Sequence, residues 1–127
     1  MLRHCDRAQP QRHVVLVGAR DLDLPEVTYL ASAQIRRSDV AVLGASDLPD
    51  GPLYVHLDLD VADSAEVRGL RYPAPGGPGS APVAGALHML PGMGRVAAVG
   101  IACTWHPGHF AAARISPYLE AALAAPR

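Results

Sequence analysis

The sequence predicts an α/β fold of three layers, with helices on either side of a mainly parallel sheet of about four strands. Short apolar, β-branched runs recur at residues 13–18, 39–43, 53–60 and 95–103, and helix-compatible stretches lie between them. The run at 53–60 is nearly continuously apolar, the pattern of a strand buried on both faces of a parallel sheet. A chain of 127 residues holds one such core and not two.

Residues 1–12 are charged and irregular and read as a leader, leaving 13–125 as the folded domain. His13 to Gly18 is a strand closed by glycine. A helix follows with Asp23 or Leu24 near its cap and Pro25 and Glu26 in its first turn, running to about Arg36. Residues 39–43 return to strand character, and 46–52 are dense in turn formers. The third strand, from Leu53 to about Asp60, feeds a loop at 66–80 rich in proline and glycine. A loop of that length beyond a strand's carboxyl end is a place for a site. Residues 81–90 form a helix with Ser80 as N-cap and Pro82 near its start. Residues 95–103 are the last strand, 104–109 a second polar loop, and 110–125 a final helix broken or kinked at Pro117.

Composition removes several classes of function. The formal net charge is −1 and no basic stripe occurs, so no nucleic-acid footprint is present. Apolar runs such as 96–103 are far shorter than the roughly 20 residues that span a bilayer, and the first residues do not lead into an apolar signal core. A cytoplasmic protein with no membrane partner is expected. The two cysteines, Cys5 and Cys103, have neither zinc-site nor disulfide spacing, and Cys103 is expected buried and reduced. All eleven basic residues are arginine, which excludes a lysine base or Schiff base from this chain.

The chemistry concentrates in residues 53–63, a strand that ends in Asp58, Asp60 and Asp63. Side chains alternate along a strand, so Asp58 and Asp60 leave on one side, where they offer hard oxygen donors to Mg, Mn or Ca. The plainer reading makes one a turn cap and the other a solvated charge. Two like charges packed at a buried strand end favour the cation, because they repel unless something holds them. His56 shares their face, as an added ligand or ligand support, or simply as a packed histidine. His106 and His109 are three residues apart on the second loop, beside Trp105, whose plainer role is packing.

Two families share this local pattern. A strand ending in D-x-D resembles the nucleophile motif of haloacid-dehalogenase-like phosphatases, but Ala62 stands where they have Thr or Val, and their later lysine has no counterpart. The fuller resemblance is to the ureohydrolases, the arginase, agmatinase and formimidoylglutamase group. Residues 54–63 resemble that family's third metal motif, Pro73-Ala74-Pro75-Gly76-Gly77 its following P-x-P-G-G loop, and Gly18-Ala19-Arg20-Asp21-Leu22-Asp23 its upstream G-x-R-D-x-D segment. The resemblance implies an arginase-like fold and hydrolysis of C–N bonds in guanidino or amidino compounds by water activated at two Mn(II) ions. It implies that Asp58 bridges the ions and that Asp60 binds one of them; His56, Asp63, Thr104 and His106 are the candidates for supporting those ligands or touching substrate.

The family's earlier motifs, G-G-D-H and D-A-H-x-D, do not occur in this chain. Ser64 replaces the proline of the third motif, and Thr104 stands where the E-x-N-P segment has the glutamate that holds a guanidinium. The expectation is therefore the C-terminal half of an arginase-like domain, with an incomplete ligand set and inactive alone. A missing N-terminal half or self-association would complete it. The alternative is a non-catalytic remnant or interaction domain of the same fold.

Overall fold

The computed structural model describes residues 10–102 and 104–109, with Ala113, Ser116, Pro117, Leu119, Glu120 and Ala124 beyond them. Its strands are β1 (Val15–Val17), β2 (Arg36–Ser38), β3 (Leu53–Asp58) and β4 (Val96–Ala102), and its longer helices are α1 (Leu24–Ser32) and α2 (Ser80–Gly92). Among the described residues both pairings of named strands are parallel, as predicted, but the strands form two pairs, β1 with β2 and β3 with β4.

Of the two predicted cap positions, Asp23 and Leu24, helix α1 uses Asp23, through a reciprocal cap. The Asp23 carboxylate accepts from the Glu26 N–H at 2.8 Å, and the Glu26 carboxylate accepts from the Asp23 N–H at 2.9 Å. It ends at Ser32, short of the expected Arg36, because the chain turns extended at Ala33 and residues 36–38 pair with β1. The strand predicted at 39–43 is instead a 3-10 turn over Val40–Val42. Its apolar content serves packing: Val40 lies against the core.

Strand β3 stops at Asp58, and Leu59–Val61 forms a 3-10 turn, so Asp60 leaves from that turn and not from the strand. The turn carries Leu59, 1% exposed, into the core. There it joins Leu57, Ala62, Val67, Leu70, Val83, Leu87 and Leu119. Expected burial on both faces holds for only one side of β3. Tyr54, 67% exposed, His56 and Asp58 line the open side, and their partners in register on β4 are Ala98, Gly100 and Ala102.

Helix α2 is capped differently from the prediction. Gly79 is its N-cap, and the capping oxygen comes from Glu66, fourteen residues ahead of Ser80 in the chain. The Glu66 carboxylate accepts from the Ser80 N–H at 2.8 Å and from the Ser80 hydroxyl at 2.5 Å. Those two bonds hold its pKa below the ordinary glutamate value.

At the opposite end of the β3–β4 pair, Arg95 bonds the carbonyls of Gly51 and Pro49. No helix among the described residues is long and apolar enough to cross a membrane. Most of the predicted final helix, Cys5, Cys103 and residues 1–9 lie outside the described residues, although Leu119 is buried in the core.

Candidate metal-binding cleft

A cleft of about 210 Å³ opens beyond the carboxyl ends of β3 and β4, lined by Asp58, Asp60, Leu70, Tyr72, Ala102 and Thr104. Each wall has a separate origin. Asp58 ends β3, Asp60 sits in the following turn, and Ala102 and Thr104 come from the end of β4 and the residue beyond Cys103. Leu70 and Tyr72 come from the long loop, which is tied to the segment after β4 by a short antiparallel contact. Leu70 bridges Trp105, the Arg71 N–H donates to the Thr104 carbonyl at 2.9 Å, and the His106 N–H donates to the Gly69 carbonyl at 2.9 Å. Open α/β sheets place ligands at this end because loops converge there beyond the strand hydrogen bonds.

Three of the residues singled out in the sequence, Asp58, Asp60 and Thr104, meet in this cleft. His56 stands two residues back on the same open face, its ring centroid 6.4 Å from that of Tyr54. Asp63 is a turn residue: its carboxylate accepts from the Ala65 N–H at 2.9 Å, and its carbonyl accepts from Glu66 and Val67. His106 holds the loop contact through its backbone and is exposed, outside the cleft lining. Sequence reasoning missed Tyr72, Leu70 and Ala102 as lining residues. It also named no role for Arg20 and Asp21, although the G-x-R-D-x-D match contained both.

Burial raises the pKa of Asp60 above the ordinary aspartate value. Repulsion from Asp58 adds to that rise, Arg20 partly offsets it, and Asp21 adds a smaller push. The folded protein therefore holds a proton at Asp60 more tightly than the unfolded chain does. Asp60's own contribution to metal-free stability should fall as pH rises from the ordinary aspartate value of 3.8 through its raised folded pKa, and then level off. Asp60→Asn should flatten that fall and leave the chelator-treated variant melting above wild type near neutral pH. Calorimetric scans in EDTA from about pH 4 to 7 check this, and parallel pH profiles for the two proteins would contradict it.

Two carboxylates on one cleft fit a single hard divalent cation that keeps water for the rest of its shell. They do not fit a closed two-ion centre. Among the described residues no group of three or more His, Cys, Asp or Glu is placed to hold a metal ion.

No protein-family model matches the sequence, and no curated protein matches it. Solved structures do match by fold. An arginase from Bacillus subtilis superposes with a TM-score of 0.74 at 23% identity, over 92% of this chain and 46% of the arginase. Formiminoglutamase from Trypanosoma cruzi, whose structure contains Mn2+, gives 0.77 at 14% identity over 93% and 44% of the two chains. Proclavaminate amidino hydrolase from Streptomyces clavuligerus gives 0.64 at 22% identity over 89% and 43%. The chain spans a little under half the length of the proteins it matches. With its parallel strand pairs and a cleft at the carboxyl end of β3 and β4, it carries an arginase-like α/β fold over that span.

Proposed function

We propose that this chain is part of a ureohydrolase-like hydrolase of C–N bonds in guanidino or amidino compounds, with Asp58 and Asp60 as its contribution to a Mn(II) site. The observation that supports this most directly is the opening of both carboxylates into one cleft at the sheet end of an arginase-like fold. When bound, the ion supplies Lewis acidity that makes water nucleophilic at neutral pH. Asp58 and Asp60 hold the ion, Thr104 and Tyr72 form uncharged walls against which a substrate rests, and Asp63 keeps the turn below Asp60 in shape.

Two donors cannot close a two-ion shell, so the isolated 127 residues are inactive and require completion by an N-terminal half or by another copy. A non-catalytic interaction domain is the second reading, favoured by the uncharged Thr104 in the cleft wall and by the open face of β3.

Calorimetric titration with Mn(II) separates the two. Wild type is expected to bind, to gain about 2.7 kcal/mol at a hundredfold excess over Kd, and to lose both effects in Asp58→Asn. Equal heats for wild type and Asp58→Asn would remove the metal assignment. Urea or ammonia release by the purified chain would overturn the requirement for completion.

A further inference from the structure

Arg20 follows β1 and sends its guanidinium to the backbone of two distant segments. Nη1 donates to the Val61 carbonyl and Nη2 to the Asp60 carbonyl, both at 2.7 Å. Nε donates to the Pro75 carbonyl at 3.2 Å and Nη2 to that of Ala74 at 3.3 Å, with a longer contact of 3.4 Å from Nη1 back to Gly18. Arginine presents five N–H donors in a rigid fork and no acceptor, so a ring of carbonyl oxygens is a full complement for it.

Gly77 closes the ring from above. A Cβ there would lie 2.6 Å from Arg20 Cζ and 2.7 Å from both Nη atoms, and its φ of +107° already suits glycine alone. The guanidinium is pinned by its hydrogen bonds, so it cannot swing away cheaply from an added methyl.

We propose that Arg20 is a positioning residue: by joining the Asp60–Val61 turn to the 74–77 loop, it sets where the Asp60 carboxylate stands in the cleft. The positional lock stands on the hydrogen bonds alone, while its consequence for cation binding rests on the metal reading above. The three joined segments belong to the end of β1, the turn after β3 and the long loop. No local interaction can bring them into register, and a lysine ammonium, with three donors at one point, cannot span them.

The test uses the full chain with Arg20→Ala, Arg20→Lys and Gly77→Ala, each first shown folded by far-UV circular dichroism. In metal-free protein, amide hydrogen exchange at Ala62 and Asp63, whose N–H groups donate to the Leu59 and Pro78 carbonyls, should rise at least tenfold in all three, with α2 and β4 unchanged. Mn(II) affinity, read by electron paramagnetic resonance, should fall at least tenfold. Added guanidinium ion should restore part of both in Arg20→Ala, which a purely structural loss would not allow. Wild-type protection at Ala62 and Asp63 in folded Arg20→Ala would overturn the lock. Arg20→Lys with wild-type exchange and affinity would overturn the need for a guanidinium. If Arg20→Ala does not fold, Gly77→Ala carries the same readouts. If wild type binds no Mn(II), the metal reading falls and the exchange data alone decide the lock.

Discussion

Leu59→Ala should destabilise the protein by about 2–5 kcal/mol, the range for truncating a fully buried leucine where the surroundings relax only partly. Leu59 is 1% exposed and sits in the core between the two carboxylates of the cleft, on the tight turn that follows β3. Its side chain is the apolar counterweight to Asp58 and Asp60. Removing it leaves a void under the turn that carries Asp60, so the Mn(II) affinity proposed for the cleft should fall along with stability.

A small single domain has only about 5–15 kcal/mol to lose, so the variant is measured best at low temperature. Urea unfolding gives the energy from the shift in midpoint at unchanged slope. Leu59→Met, which conserves volume, should cost less than about 1.5 kcal/mol and keep the metal response. A loss below about 1 kcal/mol for Leu59→Ala would show that the turn does not depend on this anchor.

The second large effect is expected at Gly69. Its φ is +85°, and a Cβ would fall inside the His109 side chain, with Nδ1 2.8 Å away. Gly69 also accepts the His106 N–H that begins the contact between the long loop and the segment after β4. Gly69→Ala therefore combines a left-handed backbone penalty of about 1–3 kcal/mol with a clash against a side chain held close to its own backbone.

The cleft wall formed by Leu70 and Thr104 should separate as that contact opens. The chain's single tryptophan, Trp105, pairs with Leu70 and reports the event directly. Its emission should shift to the red, and the urea midpoint should fall. The double variant with His109→Gly, which also removes the Cβ 2.2 Å away, should recover the steric part and leave the backbone part. Unchanged emission and midpoint in Gly69→Ala would sink the argument.

The alternation of Asp58, Leu59 and Asp60 was legible because it is local: two aspartates toward the cleft, one leucine toward the core. That legibility survived an error in secondary structure, since Asp60 proved to be in a turn and still faces the cleft with Asp58. The Asp23 cap was legible for the same reason, its partner being three residues away. Strand β2 was not, because Arg36 and Arg37 are exposed and a three-residue strand of charged residues has no periodic signature.

Glu66 and Arg20 were hidden for a different reason. Each acts on backbone far along the chain, and a bond to a carbonyl or N–H leaves no pattern in the residue that supplies it. The open face of β3 was unreadable from β3 itself, since burial depends on what covers a strand. The arginase-like fold was legible from three short motifs, at an identity to solved structures of 23% or less in the comparisons given above.

The two parallel pairs carry a kinetic consequence. Val15 must find Arg36, and Leu53 must find Val96, before either ladder returns any hydrogen-bond energy. Neither pair can zip from a hairpin, so the chain closes long loops first and is rewarded afterward. Folding should therefore be slow for a protein of this size. During that delay the apolar residues of both strand pairs stay exposed, so the refolding yield should fall as protein concentration rises.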